Sequence, residues 1–125
     1  MDIIDSLVEA LAPILHVPVV GQTSNPRPPK WVLIERSGGI GTLSSDEPML
    51  TFEAWSDISK KDASDLAQQA RDWVTLTMPP VLPGGIRVTR RREIGGPSYQ
   101  PPTASGSYRY RWTALIKHQR IRENT

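Results

Sequence analysis

The spacing of apolar residues along the chain predicts two amphipathic helices. In the first, apolar residues recur at helical spacing over residues 3 to 11, and Pro13 is expected to end the helix. A second helix is expected to begin at Asp57 or Ser59, of which Ser59 forms an approximate capping box with Asp62, and its apolar stripe reaches Met78. The stripe contains Ala63, Leu66, Ala67, Ala70, Trp73, Val74 and Thr77. Its three alanines indicate that this helix lies close against a sheet.

Runs of strand-forming residues predict an antiparallel hairpin in the first half of the chain. Residues 31 to 36 and residues 49 to 56 have the composition and partial alternation of strands. The Gly-rich segment between them, residues 37 to 48, is expected to be a flexible and exposed loop. Residues 17 to 20 are consistent with a short strand, which Pro18 confines to a sheet edge or a bend.

A second pair of strands is predicted in the second half of the chain. Residues 86 to 94 and residues 108 to 117 alternate between apolar and polar side chains, and a Pro- and Gly-rich loop at residues 95 to 106 joins them. We expect both long loops to be mobile in the free chain and ordered on assembly. Two antiparallel pairs with helices on one side predict an α+β fold. A mixed or antiparallel sheet then packs against two helices in a single domain, residues 1 to 125.

Composition and charge narrow the classes of function. The chain has no Cys, which excludes disulfides, thiolate metal sites and a Cys nucleophile. Its acidic amino terminus is expected to act neither as an export signal nor as a membrane anchor. Residues 1 to 60 hold 4 Lys and Arg against 8 Asp and Glu, whereas residues 61 to 125 hold 11 against 5. This asymmetry is typical of a nucleic-acid-binding face, of copies that dock acidic side to basic side, or simply of a solvated surface.

The sequence offers little material for catalysis. It has only two histidines, His16, expected to be partly buried, and His118, expected to be exposed at a strand end. No serine lies in a nucleophile elbow, and Asp46 and Glu47 lack the further oxygen ligands of a calcium loop. We therefore expect no enzyme activity, no catalytic residue, no bound metal and no cofactor.

Arginines on the second strand pair are the most informative side chains. Strand alternation puts Arg87, Arg91, Arg109 and Arg111 on the solvated face of the sheet. It puts Arg90 and Arg92 on the apolar side, near the strand end. Such a positive band suits a solvated face, an acidic protein neighbour or DNA phosphates.

Tyrosines near the arginines bear on the choice between these alternatives. Tyr99, Tyr108 and Tyr110 could stack against bases, as in proteins that bind single strands. Tyr108 and Tyr110, however, share a face with Trp112, which indicates that they belong to the core. This pattern favours protein docking over direct nucleic-acid binding.

Several segments together resemble the tail terminator, or tail completion, proteins of siphophages that infect actinobacteria, and distantly the lambda tail terminator. The segments are LIERSGG at residues 33 to 39, Asp46-Glu47-Pro48, LTFEAW at residues 50 to 55, DASDLAQQARDW at residues 62 to 73, residues 93 to 97, and SGSYRYRWTALIK at residues 105 to 117. No single segment is specific, and the resemblance depends on their order and spacing.

This resemblance implies a structural virion protein of mixed sheet and helices. It implies a homo-oligomer, a hexameric ring, that caps the tail tube at the head-proximal end of the tail and meets the neck connector proteins, with DNA passing through the lumen without sequence-specific binding. In such a ring we expect Arg87, Arg91, Arg109 and Arg111 to line a subunit contact or the inner wall. Asp46, Glu47 and Glu53 of the neighbouring subunit would balance them. A nucleic-acid-binding module and a head completion protein of the neck are the alternatives.

Overall fold

Two helices cover one face of a six-stranded sheet in the computed structural model, which describes residues 1–23, 27–101 and 106–119. The elements are α1 (Ile3–Leu15), β1 (Val19–Val20), β2 (Lys30–Gly41), β3 (Ser45–Ser56), α2 (Lys60–Asp72), β4 (Val81–Leu82), β5 (Ile86–Gln100) and β6 (Tyr108–Gln119). A π-helical turn, Trp73–Thr77, extends α2, and a 3-10 turn, Pro83–Gly85, joins β4 to β5.

The strands follow the order β1-β2-β3-β6-β5-β4 across the sheet. Strand β1 runs parallel to β2, and all the other pairs are antiparallel. The predicted α+β fold, with a mixed sheet packed against two helices, is confirmed. The short strand expected within residues 17 to 20 is present at the sheet edge.

Helix α1 packs against the sheet near both of its edges. It lies against β1 at one edge, and its Ser6 hydroxyl donates a hydrogen bond of 2.6 Å to the Pro83 carbonyl, just after β4 at the other. The predicted end of this helix at Pro13 is wrong, since α1 continues to Leu15. A proline ring accepts helical φ and removes only one intrahelical hydrogen bond here, close to the helix end. Burial of Leu15, which is 6% exposed, favours the additional turn.

Helix α2 begins and packs as its sequence predicts. The Ser59 hydroxyl accepts a 3.0 Å hydrogen bond from the Asp62 backbone N–H, which satisfies one free donor of the first turn. The three alanines of its stripe are fully buried. Below the helix layer, the Phe52 and Trp112 rings stack at 4.1 Å between centroids. Small side chains on α2 leave room for these large rings in the core.

The predicted loop at residues 37 to 48 is mostly strand. Strand β2 continues to Gly41 and β3 begins at Ser45, which leaves a connection of only three residues. The chain crosses a β-bulge after Arg36, where Gly39 has φ of 117° and a Cβ would come within 2.4 Å of the Glu47 carbonyl oxygen. Only glycine fits there, so the Gly-rich run builds the hairpin.

The predicted loop at residues 95 to 106 is also shorter than expected. Gly95 and residues 98 to 100 pair with β6, and residues 102 to 105 lie outside the described residues. Most of residues 37 to 48 and part of residues 95 to 101 are therefore paired within a single chain, while their mobility before assembly stays a prediction.

Candidate interaction surface on the helix-free face

A β-bulge in β5 decides which arginines reach the helix-free face of the sheet. Val88 pairs with His118, but Arg90 and not Thr89 pairs with Lys117, so the ladder contains one extra residue. A one-residue insertion inverts the alternation of the side chains that follow, here from Arg90 to Glu93, after which the register shifts again. Arg91 thus lies opposite Ile116 on the helix side of the sheet, and the predicted face of Arg91 is wrong.

Contacts on the helix side follow from the same inversion. The Arg91 guanidinium donates a 2.5 Å hydrogen bond to the Met78 carbonyl. Glu93 receives two hydrogen bonds from Arg71 of α2, from Nε at 2.5 Å and from Nη2 at 2.8 Å. The hydrogen bonding to Glu93 raises the pKa of the Arg71 guanidinium above its ordinary value. This bidentate pair connects α2 to β5, and it joins residues 22 positions apart that no local sequence pattern relates.

The helix-free side of β5 and β6 holds a group of six basic side chains. We call this surface the basic face, and it consists of Arg87, Arg90, Arg92, Arg109, Arg111 and Lys117. Arg87, Arg109 and Arg111 lie where the sequence predicts. Arg90 and Arg92, predicted on the apolar side, are moved to this face by the bulge. All are exposed except Arg109 and Lys117, which are half-buried.

The acids expected to come from a neighbouring subunit already have partners in their own chain. Glu47 binds Arg90 at 3.0 Å, Glu53 lies 3.5 Å from Arg109, and Asp46 lies 3.9 Å from Arg36. Glu53 and Arg109 lie on the adjacent strands β3 and β6, whereas Glu47 on β3 reaches Arg90 on β5 across β6, so these contacts form without a second copy.

Four members of the basic face lack such a partner. Within the described ranges, no acidic side chain forms an ion pair with Arg87, Arg92, Arg111 or Lys117. Of these four, Arg111 lies directly across from Glu53 on β3, although the two do not form an ion pair.

A second, smaller apolar cluster occupies the other end of the helix-free side. Trp31, Leu33 and Trp55 are each at most 5% exposed, and Val20 packs against them. The two indole rings lie directly across from each other on β2 and β3 and stack at 5.3 Å. The Arg109 guanidinium lies 5.0 Å from the Trp55 ring centroid. The strand register is what brings the two tryptophans together, so the sequence pattern alone did not predict the cluster.

The tyrosines lie away from the basic face. Tyr99 and Tyr110 form a tilted ring pair at 5.4 Å, and Tyr110 packs against the main core on the helix side. The Lys60 ammonium lies 4.3 Å from the Tyr99 ring centroid. The basic face consequently has no tyrosine among the described residues on which a base could stack.

Both histidines differ from their predicted environments. His16 is exposed and caps the end of α1 at φ 57°, donating its backbone N–H to the Ala12 carbonyl. His118 is 1% exposed because it follows Trp112 and Ile116 at strand alternation on the core face, and its Nδ1 lies 2.7 Å from the Gln119 carbonyl oxygen. His16 thus lies at the exposed end of α1, whereas His118 lies in the core.

Within the described part of the chain, no group of three or more His, Asp or Glu side chains is placed to hold a metal ion. Neither described helix is long and apolar enough to cross a membrane.

No protein-family model matches the chain. A search of curated proteins found no match either.

Proposed function

We propose that this chain is a structural virion protein, a tail terminator that caps the tail tube as a hexameric ring and forms the joint to the head. The observation that carries the proposal is the position of the segments that resemble this family. They fall on β2, β3, β6 and β5, which are consecutive neighbours in the sheet, and on α2, which packs across them. Six segments dispersed over the sequence thus fall on five elements that make one contiguous structural unit.

The charge of the helix-free side supports an assembly role. Among the described residues, the six cations of the basic face and Arg27, which lies over the Trp55 ring, occupy it with three acids, Glu35, Glu47 and Glu53, and two of these acids are used in intrachain pairs. An exposed face with an excess of one charge suits contact with a charged neighbour and tolerance of DNA in a lumen. A modest excess also allows DNA to move, because tight phosphate binding requires many uncompensated cations.

The experiment for this function is genetic. A phage that encodes this chain should, with a stop codon early in the gene, make filled heads and tails that are abnormally long and not joined to heads. Supplying the protein from a plasmid should restore tail length and joining. Infectious particles with tails of normal length in the absence of the protein would refute the proposal. Tails of normal length that fail to join heads would indicate a head completion protein instead.

A nucleic-acid-binding module is the second candidate, because Arg92, Arg111 and Lys117 have no acidic partner in the described chain. The location of the tyrosines off the basic face disfavours it. An electrophoretic shift assay with duplex and single-stranded DNA across a salt series discriminates between the two. Phosphate-dominated binding must weaken steeply with salt. A shift that persists at physiological salt and disappears in Arg92→Glu/Lys117→Glu would favour this candidate.

A further inference from the structure

The exposed side of α1 carries negative charge that no described Lys or Arg side chain pairs with. Asp2, Asp5 and Glu9 recur at helical spacing and are all exposed. No Lys or Arg precedes Arg27 in the sequence. In the described part of the chain none of the three acids forms an ion pair. Asp2 accepts the N-cap hydrogen bond from the Asp5 backbone N–H, which leaves Asp5 and Glu9 as the available carboxylates.

The acidic stripe and the basic face lie on opposite sides of the molecule. Helix α1 belongs to the layer that covers one side of the sheet, and the basic face lies on the other side. The sheet therefore separates the two charged surfaces, and they cannot pair within one chain. A second copy can bring them together, because each copy presents both surfaces.

The spacing of the charges is compatible with such a contact. Asp5 and Glu9 are one helical turn apart, a rise of about 6 Å. Arg92 pairs with Leu115 across the β5–β6 ladder, so Lys117 is its diagonal neighbour at about 7 to 8 Å. The flexible stems of Arg and Lys accommodate the small difference, so two carboxylates can meet two cations at once.

We propose that α1 of one copy docks on the basic face of the next, with Asp5 and Glu9 against Arg92 and Lys117. The proposal rests on the proposed function, since it names the surfaces through which neighbouring subunits of the ring meet. It replaces the predicted acid partners Asp46, Glu47 and Glu53, which are used within the chain. The contact is head-to-tail, and such contacts close into a ring when the rotation between copies permits.

Charge reversal with rescue by mixing tests this contact. The variant Arg92→Glu/Lys117→Glu has two acidic surfaces, and the variant Asp5→Lys/Glu9→Lys has two basic ones. Each alone should self-associate more than about tenfold more weakly than the parent, because like charges meet across the interface. In an equimolar mixture, every contact again joins an acidic to a basic surface, so the assembly should return with alternating copies. Native mass spectrometry resolves the alternation from the masses of the variants.

Matched controls change the same charge elsewhere on the surface. Lys60→Glu/Lys61→Glu and Asp65→Lys/Asp72→Lys alter exposed residues of α2 and should assemble as the parent does. Circular dichroism verifies that all variants fold. If a double variant unfolds, the fourfold variant with both surfaces reversed remains a test, since it should assemble by itself. The parent assembly should also weaken between about 0.1 M and about 1 M salt, as the Debye length falls from about 10 Å to about 3 Å.

Three results would overturn the inference. The first is a parent chain that stays monomeric throughout a concentration series. The second is a mixture of the two variants that associates no better than each alone. The third is a pair of observations: Arg92→Glu/Lys117→Glu loses DNA binding, and Asp5→Lys/Glu9→Lys self-associates like the parent. Together they would assign the basic face to nucleic acid. If the parent forms rings but the mixture of the two variants does not assemble, this interface is refuted and the tail function stands. If the mixture assembles but a phage that lacks the gene still makes normal tails, the interface stands and the tail function is refuted.

Discussion

The pairing of Arg71 with Glu93 predicts a measurable coupling between α2 and β5. Replacing either residue with alanine removes two charge-assisted hydrogen bonds, of 2.5 and 2.8 Å. A double-mutant cycle compares the parent chain, both single variants and the double variant, and isolates the energy of the pair from the loss of each side chain's other contacts.

The size of this coupling follows from geometry and burial. Arg71 is 34% exposed at its side chain and Glu93 is 23% exposed, so water screens the pair only in part. Exposed ion pairs contribute about 0.2 to 1 kcal/mol, and removing one partner of a fully buried pair costs about 3 to 5 kcal/mol. The bidentate arrangement places this pair between those limits, so we expect a coupling of about 1 to 2 kcal/mol in the free energy of unfolding.

Urea denaturation followed by tryptophan fluorescence measures the four free energies of unfolding. The exposed pair between Lys61 and Asp65 of α2, with side chains 85% and 61% exposed, provides the control cycle, and its coupling should stay near about 0.3 to 0.5 kcal/mol. A coupling between Arg71 and Glu93 no larger than that of the control would refute the reasoning. It would mean that the bidentate geometry adds nothing beyond an exposed ion pair.

Two further predictions concern stability. A hydrogen bond from the Ser56 hydroxyl, and then one from Lys30, lower the pKa of Asp62 below its ordinary value of 3.8. The stability that the ionised Asp62 contributes is therefore present above that value and is lost as the pH falls through the lowered pKa. Asp62→Asn should be less stable than the parent at neutral pH. In urea titrations at acid pH, its free energy of unfolding should fall by less than that of the parent. Trp112→Ala should cost about 3 to 5 kcal/mol in the same assay, because it removes a buried ring stacked on Phe52, and a loss below about 1 kcal/mol would contradict the described core.

Predictions that depend on local sequence agree with the structure. The N-cap at Ser59 involves a hydroxyl and a backbone N–H three residues apart, so the interacting groups are contained in one turn of chain. The alternation of β6 is unbroken from Trp112 to His118, and it correctly separates core residues from surface ones. The same alternation predicts that His118 is buried. Its predicted exposure followed from its place near the strand end and not from the alternation.

Predictions that depend on a distant partner were less accurate. A run such as residues 37 to 41 resembles a loop because glycine has low strand propensity, but pairing with residues 46 to 49 supplies the hydrogen bonds that make it a strand. The pairing of Glu47 with Arg90 joins residues 43 positions apart. The sequence contains both charges but not the register that brings them together.

The sequence by itself determines the class of fold, the beginning of α2, the large core side chains and the division of charge between the two halves of the chain. These features depend on residue type and on spacing within one element. Only the tertiary structure decides which face each arginine of β5 occupies, because one unpaired residue, Thr89, inverts the alternation and leaves no local signature. It likewise decides that Glu47 and Glu53 are used within the chain while the carboxylates of α1 remain available. Ion pairing depends on distance in space, which the strand register sets and sequence separation does not.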